Sequence, residues 1–204
     1  ADDLAGVLED LDLRDATLVG FSMGGGEVAR YLARHGSGRV HSVIFAAAVP
    51  PYLLRTGDNP DGPLEPDHAA QMEAALQASR EDFFDGFTRD FFSAHGELKV
   101  TEAQRQEALA LCLQSNPQAA LGCMRAWAGT DFRQDLRAVD VPTLVLHGDA
   151  DATVPLEGSG QRTHQAIPGS ELAVLHGAPH GCNVSHADAF NGLVAGFLGR
   201  AGGG

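Results

Sequence analysis

The chain opens with apolar residues at helical spacing, Leu4, Val7, Leu8 and Leu11, behind Asp2 and Asp3. Acidic groups there complement the positive end of a helix dipole, so the pattern predicts a first helix. After a polar break over 12–15, Thr17 to Gly20 is a short β-prone apolar run. A glycine-flanked turn follows, then a helical stretch from Glu27 to His35 with Val28 and Leu32 on one face. Val40 to Ala48 is nearly continuous in apolar residues, as a strand buried on both faces of a parallel sheet should be, and Pro50-Pro51 stops it.

From Tyr52 to Pro66 glycine, proline and aspartate accumulate, which predicts a loop. The helical period then returns with no obvious strand. Ala69, Met72, Leu76, Ser79 and Phe83 recur at steps of three and four, while Thr101 with Gln104 and Asn116 with Pro117 read as two further helix starts. Residues 67–130 are expected to be a helical insertion. Thr143–His147 and Glu171–Leu175 predict two more strands, Gly158–Ala166 and Ala187–Leu198 two more helices, and the tail 201–204 carries no fold signal. This order of elements is that of an α/β layer fold with a mostly parallel sheet and a helical cap. Its expected division is core sheet over 1–50, cap over 51–140 and core sheet again over 141–204.

The sharpest chemical signal is Gly20-Phe21-Ser22-Met23-Gly24, a GxSxG pattern between a strand and a helix. A serine on such a strained turn has positive φ, and the expectation is that Gly20 and Gly24 supply the lack of bulk that the turn needs. The turn exposes the hydroxyl and aims the Met23 N–H at the point where an oxyanion would develop. A rival reading, Gly24, Gly26 and Ala29 as a dinucleotide-binding GxGxxA, needs an acidic residue ending the next strand, and 46–50 offers none. A serine nucleophile requires an imidazole base and a carboxylate to orient it. The third predicted strand runs into Gly148-Asp149-Ala150-Asp151 and the fourth into His176-Gly177-Ala178-Pro179-His180. Spacing alone does not separate Asp149 from Asp151.

The segments GFSMGGGEVARYLARHG, VPTLVLHGDADATVP, RTHQAIPGSELAVLHGAPHG and NVSHADAFN resemble the α/β-hydrolase superfamily, and within it the cofactor-free haloperoxidases, also called non-haem chloroperoxidases or perhydrolases, and related esterases. The likeness covers nearly the whole chain. It implies an α/β-hydrolase fold with Ser22 as nucleophile, Asp151 as acid, His180 as base, Met23 as one oxyanion donor and no cofactor. Asp149 then becomes a turn residue accepting local backbone N–H bonds. Phe21 and Trp127 are expected to touch substrate. Phe83, Phe84, Phe87, Phe91 and Phe92 either line an apolar acyl pocket, pack the cap onto the sheet, or divide the two tasks. The family also places a second oxyanion N–H on an early His-Gly-x-Pro loop that these residues lack. The layout therefore implies that roughly 60 to 80 residues, including several strands, are missing upstream. Thr17–Gly20 is then expected to be an unpaired edge.

Charge and composition narrow the rest. Acidic residues outnumber basic ones 27 to 14 in 204, a net charge of -13 that disfavours nucleic acid and anionic membrane surfaces as partners. The longest apolar run, Val43–Val49, is far short of the eighteen or more residues of a membrane helix. Cys112, Cys123 and Cys182 form no disulfide framework, and no signal segment opens these residues, so a reducing, cytoplasmic setting is expected. Cys182 reads as a small packing residue. His176 and His180 have i, i+4 spacing, but Gly177 and Pro179 forbid the helix that would make them a metal pair. The reading is a serine hydrolase acting on a small ester or carboxylic acid through an acyl-serine. Water as acceptor gives hydrolysis and hydrogen peroxide gives a peracid. A lactonase, or a catalytically impaired fragment or binding protein on the same scaffold, is the alternative.

Overall fold

The computed structural model of the protein describes residues 1–202. In chain order its elements are α1 (Asp2–Asp10), β1 (Ala16–Phe21), α2 (Met23–His35) and β2 (Val40–Ala46). A helical block follows, made of α3 (Pro66–Ala78), α4 (Arg80–Phe92), the strand pair β3 (Ser93–Ala94) and β4 (Glu97–Leu98), α5 (Glu102–Gln114) and α6 (Pro117–Gly129). A short 3-10 turn at Asp135–Ala138 leads to β5 (Thr143–Gly148), α7 (Gly160–Ala166), β6 (Glu171–Leu175), α8 (Cys182–Ser185) and α9 (Ala187–Ala201).

The main sheet has the order β1-β2-β5-β6 and every neighbouring pair is parallel. Its two inner strands explain their own apolar runs. Val43 and Phe45 of β2 and Val145 of β5 pack with α1 and α2, through Leu8, Val28 and Leu32. Ile44 and Ala46 of β2 and Leu144 and Leu146 of β5 face the other way, onto Cys182 and Phe197. Alternate side chains are thus buried on opposite faces, and each large one contributes roughly 1.5–3 kcal/mol of burial. β1 lies at one edge, where Val19 is half exposed. Leu8 and Ala5 bury α1 against α2, whereas Val7 and Leu11, expected on that face, point to solvent. The contact is narrower than the full apolar stripe.

The helical block departs from its sequence pattern at one point. The run from Ala69 to Phe83 reads as one helix, but Ser79 divides it: extended at φ -151, it ends α3 and its hydroxyl accepts the Asp82 N–H that starts α4. An N-cap side-chain bond with acidic residues in the first turn outweighs continuity of the apolar period. The pair β3–β4 was also hidden, since two-residue strands carry no alternation to read. The other starts form as expected. Thr101 and Gln104 make a reciprocal capping box on α5, and Asn116 Oδ1 accepts from Gln118 and Ala119 ahead of α6. α9 continues through Ala201, where no structure was expected, with Arg200 paired to Glu171 at 2.6 Å; Gly203 and Gly204 lie outside the described residues. Arg105 of α5 is buried between Asp85 of α4 at 2.8 Å and Glu102 at 2.6 Å. Its hydrogen bonds hold the Glu102 carboxyl at about 2.

Candidate active site

Phe21 ends β1 and Met23 begins α2, so the chain turns from strand to helix within Ser22. Its backbone sits at φ 53, ψ -122, a conformation that costs on the order of 1–3 kcal/mol outside glycine. Hydrogen bonds to β2, to the loop after it and to α2 hold it. The Ser22 N–H donates to Ala46 O at 2.9 Å, and Ser22 O accepts from Val49 at 3.1 Å and Gly25 at 3.0 Å.

The glycines around this elbow differ in what they do. A Cβ on Gly20 would stand 2.6 Å from Gly25 Cα, and one on Gly25 would collide with the Ala48 methyl. A Cβ on Gly24 would meet nothing within 4 Å. The expected pair was Gly20 and Gly24. The geometry corrects it to Gly20 and Gly25, because α2 approaches the sheet one residue later than the GxSxG pattern implies. Met23 is the first helical residue, and its N–H is among those that have no partner inside a helix.

Two loops beyond the carboxyl ends of β5 and β6 face the elbow. His180 is buried, with Nε2 2.8 Å from Ser22 Oγ and Nδ1 2.6 Å from Asp151 Oδ2. The other carboxylate oxygen of Asp151 accepts the N–H groups of Thr153 at 3.0 Å and Val154 at 2.7 Å. Burial alone would raise the Asp151 carboxyl. The imidazoles of His147 and His180 beside it outweigh that and leave the group below the ordinary aspartate value. Asp149 lies elsewhere, paired to His176 Nδ1 at 2.7 Å and accepting the Gly177 N–H at 2.6 Å, and both contacts lower its carboxyl as well. Of the two aspartates, only Asp151 reaches His180.

His147 did not emerge from the sequence. It is fully buried at the end of β5, donates Nε2–H to Val154 O at 2.7 Å and keeps that nitrogen 3.4 Å from Asp151 Oδ2. A Cβ on Gly160 would stand 2.6 Å from its Nδ1, so α7 packs directly on the ring. A polar residue directly after the apolar run Leu144–Leu146, still within the predicted strand, was the available signal.

Ser22 and His180 open into a cavity of about 380 Å³ between the sheet and the helical block. Phe83, Phe84 and Phe87 of α4 and Trp127 of α6 are on its wall, and no charged side chain is. The phenylalanine cluster divides its work. Phe91 packs edge-on against the His180 ring at 4.8 Å, and Phe92 is buried beside Gly181. Phe21 is not among the residues on this wall; its ring lies 5.5 Å from that of His180. Cys182 is buried in the core, and its thiol is pushed up to about 12 by burial and by the nearby Asp151 charge. Among the described residues, no group of three or more His, Cys, Asp or Glu side chains is gathered as a metal site would require, and no helix is long and apolar enough to cross a membrane.

Comparison with known proteins agrees with this architecture. The profile of the alpha/beta hydrolase family matches residues 1–193. A non-heme chloroperoxidase of Kitasatospora aureofaciens is 39% identical over 98% of this chain and 74% of its own. A bifunctional esterase/perhydrolase of Acinetobacter calcoaceticus is 32% identical over 97% of this chain and 72% of its own. The crystal structure of a bromoperoxidase from Bacillus anthracis superimposes with a TM-score of 0.93 at 45% identity, covering 96% of this chain and 71% of that one.

Proposed function

The chain belongs to the alpha/beta hydrolase family and is an enzyme of it; on that premise we propose that it is a serine hydrolase that cleaves small carboxylic esters through an acyl-Ser22 intermediate. The observation that carries this reading is the unbroken line from Asp151 Oδ2 through His180 to Ser22 Oγ, at 2.6 and 2.8 Å. With Nδ1–H donated to the carboxylate, Nε2 of His180 is the free base. It takes the Ser22 proton as Oγ attacks the ester carbonyl, and the Met23 N–H faces the oxygen on which charge develops. The tetrahedral intermediate collapses when His180 returns that proton to the leaving alcohol, leaving the acyl group on Ser22. Water then attacks by the same route in reverse, and the acid and a free serine result.

Two features set the conditions for this chemistry. His147 Nε2 lies 3.4 Å from the same Asp151 oxygen that meets His180 and donates to the carbonyl of Val154, whose own N–H binds the other carboxylate oxygen, so it acts as a positioning residue and not as an acid or base. Segment 51–140 acts as a cap whose uncharged wall, including Trp127, suits the acyl or alcohol part of a neutral ester. Hydrogen peroxide is a second acceptor, favoured by the likeness to an esterase/perhydrolase, and it releases a peracid in place of an acid.

A fluorophosphonate probe tests the nucleophile directly, because it reacts only with an activated serine. Label should map to Ser22 alone and should fall steeply in His180→Ala. Label on another serine, or undiminished labelling of the Ser22→Ala protein, would overturn the assignment.

A further inference from the structure

The cavity wall has an uneven composition. The chain contains three methionines and three cysteines, and all three methionines, Met23, Met72 and Met124, line the cavity together with Cys112 and Cys123. Only Cys182 stands apart, buried in the core. Thioethers suit an irregular apolar pocket because they are flexible and polarisable, and they pack well against aromatic rings such as those of Phe84 and Trp127 nearby. They also accept an oxygen atom from a peroxy group, which converts them to sulfoxides.

We propose that this wall is a modification site: peracid formed at Ser22 oxidises the methionines that line it, Met72 and Met124 among them, before it leaves, so that turnover with hydrogen peroxide converts the enzyme to a methionine-sulfoxide form with weakened hold on apolar substrates. The inference rests on the acyl-Ser22 reading. Hydrogen peroxide attacks the acyl carbon, the ester bond to Ser22 breaks, and a peracid and the serine hydroxyl form. The O–O bond of the peracid then breaks. Its outer oxygen bonds to the thioether sulfur, which loses two electrons, and the carboxylic acid keeps the proton. Met72 packs with Trp127 against the Leu53–Phe132 cluster, and Met124 with Phe83 and Phe87 against the cluster of Leu76, Phe84 and Leu109. A sulfoxide dipole there removes sulfur–aromatic contacts and faces an apolar cavity. Cys112 is a poorer target, since burial raises its thiol and keeps it from the reactive thiolate form.

The experiment compares the protein, Ser22→Ala and Met72→Leu/Met124→Leu with 4-nitrophenyl acetate, hydrogen peroxide, or both, in the presence of excess free methionine to capture any peracid in solution. Peptide mass mapping reads the oxygen added at each sulfur. The expected result is oxidation at Met72 and Met124 that requires ester, peroxide and Ser22 together and survives free methionine, with Cys182 unmodified. KM for an apolar ester should then rise roughly two- to tenfold, the scale of lost sulfur–aromatic contacts. The leucine variant should keep more of its own starting rate through the same exposure. Equal oxidation in Ser22→Ala, oxidation by peroxide alone, or complete protection by free methionine would each overturn the proposal. The ester-only arm separates the two claims. Acyl-Ser22 present there with unmodified methionines in the combined arm defeats this inference alone, whereas acyl-Ser22 absent from every arm defeats the catalytic reading and the inference with it.

Discussion

The two halves of the candidate catalytic cleft are built on different physics. On the sheet side, β2 and β5 are largely apolar and buried on both faces. Ser22, His180 and Asp151 are held there by backbone and side-chain bonds from four separate segments. The helical block has smaller apolar clusters, and α4 and α5 are tied by Arg105, whose carboxylate partners are both about half exposed. Under the proposed mechanism the difference is a division of labour: the sheet side would fix where bonds break, and the helical block would fix which molecules reach them.

That division can be broken first on the sheet side. Asp151→Asn should lower kcat by about 10⁴-fold, because the amide favours the wrong imidazole tautomer, while Asp149→Asn should change kcat by no more than a few-fold. KM should stay near its starting value in both, as neither residue lines the cavity. Steady-state kinetics on a short aryl ester reads this, and the reverse order would move the acid to Asp149.

The elbow provides the next contrast. Gly25→Ala forces a methyl into Ala48 and should destabilise the fold by about 1–3 kcal/mol. Gly24→Ala meets open space inside a helix and should be neutral or stabilising by up to about 1 kcal/mol. Urea unfolding with unchanged m-values would check both. In the helical block, Trp127→Ala should raise KM for an aryl ester by roughly tenfold, the worth of about 1.4 kcal/mol of lost apolar contact, with kcat moving much less. A fall in kcat with unchanged KM would mean that the cap helps position the reacting atoms.

The smallest effect concerns pH. The folded Asp151 carboxyl lies below the ordinary value of about 3.9, so its stabilising contribution is present above that pH and is lost as pH falls through the lower folded value. Thermal unfolding from pH 6 to pH 3 should show a shallower loss for Asp151→Asn than for the unsubstituted protein. A parallel pair of curves would mean that other carboxylates dominate the acid limb.

Much of the sheet side was legible in the sequence, because its signals are local. Strands buried on both faces announce themselves as apolar runs, the GxSxG pattern marks its own turn, and Thr101 and Asn116 cap their helices within three residues. What escaped depends on contacts between distant segments. The requirement at Gly25 comes from Ala48, the role of His147 from Val154 and Asp151, and the ring contact of Phe21 from His180, 159 positions away in the chain. The break at Ser79 was local yet hidden, since a heptad-like apolar spacing continues across a residue whose hydroxyl caps the next helix.

Trapping the covalent intermediate tests the central claim most directly. The protein is mixed with a 4-nitrophenyl ester, quenched in acid within the first turnover and mapped by peptide mass. The expected result is one acyl group per chain, on Ser22, appearing with a burst of nitrophenol and absent from Ser22→Ala. Hydrolysis without an acyl group on Ser22, or turnover retained in Ser22→Ala, would contradict the account.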